Sequence, residues 1–258
     1  MNTSNRRIKI FEKLLKDKKV EVNKLAKTFD VTTMTIRRDL ALLEKQGIIT
    51  CSYGGAFLNE GVSNEPSFEL KNSQSLDSKI SIGYCASKYV NDGETIYLDC
   101  GTTIYNMARY LTNKKITIIT NSWPLIELFK DNNKIELILA PGKFNKTSNG
   151  AISNITINFL NNIHVDKAFI ATHGFDINRG PCNPSEIDNG IKQTALKVSE
   201  VSYLLFDHSK LNNACTYYFE DKNLVKNIII DENIEQKNLN NLKRKYKVII
   251  AQSIKKNI

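Results

Sequence analysis

The sequence predicts two folded units in series: a small N-terminal winged helix-turn-helix, then a doubly covered, largely parallel α/β sheet. Three observations predict this. Two short helix-spaced runs precede a third that carries adjacent arginines. A glycine-rich, hairpin-like stretch ends the first 57 residues. From residue 95 onward, short apolar runs alternate with helical stretches. The division expected is 1–57 for the first unit, 58–75 for a linker and 76–258 for the second.

The first unit is read element by element. Residues 6–15 place Ile8, Phe11, Leu14 and Leu15 at helical spacing, and 22–29 do the same with Leu25, Ala26 and Phe29. Asp30-Val31 makes a tight turn. A third helix follows, capped by Thr32, whose side chain accepts from orphan backbone N–H groups. Ile36, Leu40 and Leu43 form its apolar stripe. At roughly 100° per residue, Met34, Arg38 and Lys45 point away from that stripe, with Arg37 and Ala41 on the flank. A buried stripe with an arginine face is what a major-groove reader needs, because a guanidinium can donate two hydrogen bonds to guanine or clamp a phosphate. A solvated surface helix can carry the same charges. The order helix, helix, turn, helix is nevertheless that of a helix-turn-helix. Residues 48–57 set two short apolar arms around a polar, glycine-rich stretch, the pattern of a β wing.

Charge supports a polyanion partner. The chain carries +9 overall, and residues 1–57 hold twelve Lys/Arg against six Asp/Glu. Four of the seven arginines lie in the first 38 residues. The five cysteines (Cys51, Cys85, Cys100, Cys182, Cys215) are scattered, without C-x-x-C spacing, and read as reduced thiols of a cytoplasmic protein. The three histidines have no metal-ligand spacing, so neither metal nor cofactor is expected. No apolar run reaches the roughly 18 residues of a membrane span, and no signal-peptide pattern follows Arg6 and Arg7.

In the second unit a helix is expected over 79–90. Strands are expected at 95–98, 116–119, 136–139, 167–170, 203–206, 227–230 and 247–250. Helices at 103–111, 124–129, 153–160, 187–201 and 235–242 lie between most of them. Small and polar residues collect at five strand ends: Asp99-Cys100-Gly101-Thr102-Thr103, Thr120-Asn121-Ser122, Ala140-Pro141-Gly142, Thr172-His173-Gly174-Phe175-Asp176, and Asp207-His208-Ser209-Lys210. In open α/β sheets that edge binds ligands. Gly101 permits close backbone approach, Thr102 and Thr103 offer hydroxyls at a helix start, and Lys210 supplies a point charge, a combination suited to phosphate. Duller roles stay open: Asp99 could cap the next helix, Thr120 and Asn121 could form an ordinary turn, and Asp207 and Lys210 could be a structural ion pair.

These motifs resemble the DeoR family of bacterial transcription regulators. In the first unit the resemblance rests on Thr35-Ile36-Arg37-Arg38-Asp39-Leu40, Leu43, Gly47 and Gly54-Gly55-Ala56. In the second it rests on Asp92-Gly93-Glu94-Thr95, Asp99 to Thr103, Thr120-Asn121-Ser122, Gly150, Glu186, Lys192 and Asp207 to Lys210. The chain departs from the family pattern at Thr50 or Cys51, where a basic residue is usual, and at Tyr53, where a histidine is usual. It departs again at Pro141, His173 and Leu211, which replace a glycine, an aspartate and a phenylalanine. The resemblance implies a sensor domain similar to ribose-5-phosphate isomerase, with a phosphorylated sugar as effector.

The sequence therefore assigns DNA contact to Thr33, Met34, Thr35, Arg37, Arg38, Lys45 and Tyr53. It assigns effector contact to Asp99, Gly101, Thr102, Thr103, Thr120, Asn121, Ser122, His173, Asp176, Asp207 and Lys210, and the resemblance alone adds Glu186 and Lys192. The function expected is an operator-binding repressor of sugar-metabolism genes, modulated by a phosphorylated sugar and acting as a homodimer or homotetramer. A phosphosugar isomerase with an appended DNA-binding unit is the alternative, disfavoured by the loss of an acid at His173. A scaffold without ligand response is the third.

Overall fold

The computed structural model describes residues 3–45, 47–59 and 66–254. The chain forms two compact units, Met1–Gln74 and Ser75–Ile258.

In the first unit the elements are α1 (Thr3–Asp17), β1 (Lys19–Glu21), α2 (Val22–Phe29), α3 (Thr33–Lys45), β2 (Ile49–Ser52), β3 (Gly55–Leu58) and α4 (Phe68–Ser73). The strands form an antiparallel sheet in the order β1-β3-β2. One core binds them: Ile10, Phe11 and Leu14 of α1, Leu25 of α2, Ile36, Leu40 and Leu43 of α3, with Ile49, Ala56 and Leu70. The expected stripe of α3 is the buried one. The 58–75 stretch, expected as a linker, contains the end of β3 and helix α4; residues 60–65 of it lie outside the described residues. Phe68 and Leu70 are buried, and their spacing within a polar segment is too short to show a period.

The second unit begins with α5 (Leu76–Ser87), β4 (Thr95–Leu98), α6 (Thr102–Ala108), β5 (Ile116–Thr120), α7 (Trp123–Phe129) and β6 (Ile135–Leu139). A small hairpin follows, β7 (Phe144–Asn145) and β8 (Gly150–Ala151), then α8 (Asn154–Leu160) and β9 (Val165–Ala171). Next come β10 (Gly174–Asp176), β11 (Gly180–Asn183), α9 (Glu186–Lys197), β12 (Ser199–Leu205) and β13 (Tyr217–Tyr218). The unit ends with β14 (Asn227–Asp231), α10 (Gln236–Lys243) and β15 (Lys247–Ala251). Seven strands make the main sheet, in the order β15-β14-β12-β9-β4-β5-β6. Every neighbouring pair in it is parallel. A second, antiparallel sheet of β10, β11 and β13 stands beside the end of β9.

That order places the site. The chain starts inside the sheet at β4 and moves outward through β5 to β6. It then returns to the other side of β4 at β9 and moves outward again through β12 and β14 to β15. Right-handed crossovers running in opposite directions put their helices on opposite faces. Accordingly Ile96, Leu98 and Ile118 pack with residues of α5, α6 and α7, including Ile82, Met107 and Leu125. Tyr97, Ile119 and Ile170 pack with residues of α8, α9 and α10, including Leu160, Ile191 and Leu239. Side chains alternate faces along each strand. The reversal falls between β4 and β9, and such a switch point opens a crevice at the strands' carboxyl ends. Among the described residues no helix is long and apolar enough to cross a membrane.

Candidate functional site

On the first unit, Thr32 accepts the backbone N–H of Thr35 at 3.2 Å and caps α3 as expected. The Thr35 hydroxyl lies 3.0 Å from that of Thr32 and is engaged locally. Thr33, Met34, Arg37, Arg38 and Lys45 are exposed, with Met34 at 56%. Arg38 and Lys45 are the cations opposite the core stripe, with Arg37 on its flank. At the wing, Gly54 adopts φ +85°, a left-handed turn conformation that glycine takes without steric cost, and Tyr53 stands fully exposed beside it. Where the family pattern carries a basic residue, Thr50 and Cys51 make internal bonds. The Thr50 hydroxyl donates to Asn59 at 2.7 Å, and Cys51 N–H donates to Glu44 at 2.6 Å.

Two of the N-terminal arginines do not add to that face. Arg6 Nε donates to Asp39 Oδ2 at 2.6 Å, both side chains being buried, and Arg7 Nε lies 4.0 Å from the other oxygen. This pair was missed. Its signal was present, since Asp39 follows Ile36 by three residues and so lies along the buried stripe, where a charge needs a partner.

On the second unit, the switch point is built around Asp99. Its N–H donates to Phe169 O at 3.1 Å, and its Oδ2 accepts from Ala171 N–H at 3.0 Å, stitching β4 to β9. Oδ2 also accepts from Lys192 Nζ at 2.6 Å, while Oδ1 is buried without a hydrogen bond. Asp99 therefore does not cap α6, whose N-cap is Gly101 with no side-chain cap. Lys192 is no solvated helix lysine: it is 3% exposed and also lies 3.5 Å from Asp188. Burial disfavours its charge, but Asp188 and Asp99 outweigh that and raise its pKa. Asp99, Cys100 and Asp188 offer ligand atoms within 4.8 Å of one another. The Lys192 ammonium already supplies the cation there.

Gly101 is held close to β9, since a Cβ on it would come within 2.5 Å of the Ala171 Cβ. Thr102 and Thr103 start α6 and are mostly buried. Thr120, Asn121 and Ser122 are buried and turned inward. The Thr120 hydroxyl donates to Leu98 O at 2.7 Å and accepts Ser122 N–H at 3.0 Å. Asn121 accepts the Tyr97 hydroxyl at 2.9 Å and donates to Ala151 O at 2.9 Å. His173 is half-buried, with its N–H and Nδ1 both on Asn183 Oδ1, at 3.3 and 3.1 Å. Asp207 caps its own turn by accepting from the Ser209 N–H and hydroxyl, rather than pairing with Lys210. Lys210 is half-buried, and its ammonium makes no hydrogen bond or ion pair among the described residues.

Two expected residues lie elsewhere. Asp176 accepts from Asn178 and Arg179 N–H at 2.8 Å each, shaping the β10–β11 turn. Glu186 is exposed in the first turn of α9, about 120° around the helix from Lys192. It lines an outer groove of about 630 Å³ with Arg179, Gln193 and Tyr217. Sequence spacing shows which loops share an edge, but not which way each side chain turns.

A neighbouring bond network was not foreseen. His208 N–H and Nδ1 each lie 2.7 Å from an Asp231 oxygen, and the Ser78 hydroxyl donates to the same carboxylate at 2.9 Å. Burial pushes the Asp231 carboxyl up. The bonds from His208 and Ser78 outweigh it and hold the group below the ordinary aspartate value.

With this geometry established, comparison with known proteins identifies the family. Residues 6–62 match the model of the DeoR-like helix-turn-helix domain, and residues 74–232 match that of the DeoR C-terminal sensor domain. The chain belongs to the DeoR family. It is a DNA-binding transcription regulator rather than an enzyme. It is similar to the lactose phosphotransferase system repressor of Staphylococcus epidermidis strain RP62A, with 30% identity over 82% of this chain and 85% of that protein. It is also similar to the HTH-type transcriptional repressor GlcR of Bacillus subtilis strain 168, with 29% identity over 90% of this chain and 89% of that one. Among solved structures, ribose-5-phosphate isomerase A from Methanocaldococcus jannaschii aligns over 54% of this chain and 55% of its own. That alignment has 20% identity and a TM-score of 0.40.

Proposed function

We propose that this DeoR-family regulator is a repressor of sugar-metabolism genes that acts in the cytoplasm, with operator binding modulated by a phosphorylated sugar. The observation that supports the proposal is the switch point itself: Gly101, Thr102 and Thr103 follow the carboxyl end of β4, His173 follows that of β9, and the buried Asp99–Lys192 pair lies beside them. Relatives named as repressors, one of them of a lactose phosphotransferase system, support it.

In this reading Thr102, Thr103 and Lys210 face the phosphate, because the uncommitted Lys210 ammonium is the positive group nearest in sequence to the site's last loop. His173 faces the sugar hydroxyls. Asp99 and Lys192 hold the crevice floor; Thr120, Asn121, Ser122 and Asp207 shape its walls. Thr33, Met34, Arg37, Arg38, Lys45 and Tyr53 contact operator DNA, with Thr35 securing the helix start. One recognition helix reads few base pairs, so a dimer or tetramer on repeated half-sites is expected. The deciding experiment measures operator affinity with and without phosphorylated sugars, for wild type and Lys210→Ala. Lys210→Ala should weaken the ligand response at unchanged ligand-free DNA affinity. If an unphosphorylated sugar alone shifts wild-type DNA binding, the phosphate assignment is wrong.

A further inference from the structure

We propose that the outer face of α5 is an interaction surface for a second copy of this chain, with the two α5 helices packed antiparallel about a two-fold axis. The homo-oligomer reading above is its premise. Helix α5 is apolar on two sides. Ile82 and Ala86 point inward and are buried with Met107 of α6 and Ile229 of β14. Leu76, Ile80 and Tyr84 recur at every fourth residue on the other side. Leu76 and Tyr84 are each 40% exposed, and Tyr110 and Ile254 are 41% and 39% exposed. The Tyr84 and Tyr110 rings meet edge to face with centres 5.2 Å apart, and Ile80, Tyr110 and Ile254 line one groove of about 510 Å³. A helix that is apolar all round is a buried helix. A contiguous apolar patch left on a surface marks contact with another molecule.

Two charges on this face identify the occupant. Asp77 and Lys88 are exposed at its two ends, and the Lys88 ammonium lies 4.3 Å from the centre of the Tyr84 ring. Lys88 keeps right-handed helical backbone angles as the C-cap. At about 100° per residue, Asp77 and Lys88 therefore fall on the same flank of the Ile80–Tyr84 stripe. A two-fold axis that sets two helices antiparallel keeps each flank on its own side and exchanges the ends. The pairs Asp77 with Lys88 and Ile80 with Tyr84 share a midpoint near residue 82. A second α5 laid across that midpoint sets Ile80 against the partner's Tyr84 and Asp77 against the partner's Lys88, each contact occurring twice. Parallel packing would oppose acid to acid and base to base, which repels. The face is complementary to itself antiparallel and not parallel, as an isologous contact requires.

Tyr84 is the anchor. Its ring is fixed by Lys88 and by the edge contact with Tyr110, so little freedom is lost on docking. Aromatic side chains of this kind dominate the centres of protein interfaces. Gly83 seats α5 directly on α6, since a Cβ there would come within 2.5 Å of Met107 N. The helix that joins two copies thus leans on the helix whose first turn carries Thr102 and Thr103.

The test is sedimentation of the full-length protein over a range of concentrations, with thermal melts to check that each variant is folded. Tyr84→Glu should lower the assembly by one step, dimer to monomer or tetramer to dimer, and raise the dissociation constant roughly a hundredfold. Asp77→Lys and Lys88→Glu each set like charges opposite one another twice, and each should raise it about tenfold. The double variant Asp77→Lys/Lys88→Glu should return it close to wild type. A role confined to one copy predicts the opposite order. An acid near a helix start and a base near its end favour the helix, and the double variant loses both. Should Tyr84→Glu fail to fold, the charge exchange decides alone. A folded Tyr84→Glu of unchanged mass overturns the proposal and gives the face to the chain's own tail or to another protein. Absence of rescue in the double variant overturns it equally. A monomeric wild type would overturn it together with the homo-oligomer reading, whereas an oligomer indifferent to these changes would overturn it alone.

Discussion

Asp39 and Arg38 are adjacent in sequence and opposite in role. Asp39 is buried against Arg6, while Arg38 is exposed. Asp39→Ala leaves a buried guanidinium unpaired and should cost the first unit about 3–5 kcal/mol, read as a lower urea midpoint. Arg38→Ala should leave that midpoint within about 0.5 kcal/mol, yet weaken operator binding by roughly 1–3 kcal/mol with relaxed choice at one base. A uniform loss across all DNA sequences would make Arg38 a phosphate contact. At Asp231 the sign follows from the depressed folded pKa. Its stabilisation is fully present above the unfolded value of about 3.9 and disappears as pH falls through the folded value. Asp231→Asn should therefore be less stable than wild type at pH 7, by about 2 kcal/mol, and approach it in strong acid. Equal gaps in urea midpoint at both pH values would contradict this.

At the scale of elements, the exposed cations of α3 should act together. Removing Arg37, Arg38 and Lys45 should lower the slope of log affinity against log salt by up to about 3, at roughly 0.9 per phosphate contact; an unchanged slope would move the DNA face elsewhere. On the seam between β4 and β9, Gly101→Ala should drive a methyl into Ala171. A loss of roughly 1–3 kcal/mol is expected in thermal or urea melts. The main-sheet strands were legible because parallel strands covered on both faces are continuous apolar runs, as in Ile116–Thr120 and Asn227–Asp231. The β10, β11 and β13 sheet was not, because strands of two to four residues rich in Gly, Pro and Asn carry no period. Helix α9 was read as 187–201 but ends at Lys197, because Ser199 onward pairs with β9 in parallel register. The loops of the candidate site were legible as loops. The inward turn of Thr120 and Asn121, and the burial of Lys192, depend on partners distant in sequence and were not.

At the scale of the molecule, the first core ends at Leu70, while those of the sheet unit begin at Ile82. Calorimetry should show two transitions. A phosphorylated sugar at a hundred times its dissociation constant should raise only the one belonging to the sheet unit, by about 2.7 kcal/mol. A single transition that shifted as a whole would mean that the units melt as one.

Self-contained cores have a further consequence for how such regulators diversify. Among the described residues the first core draws on no side chain beyond Leu70, and the boundary between the two units falls at Gln74. A hybrid of residues 1–74 with another family member's sensor should keep this protein's operator and answer to the donor's signal. Address and message would then be inherited separately, and a genome could rewire its sugar responses by exchanging halves rather than by refining both together.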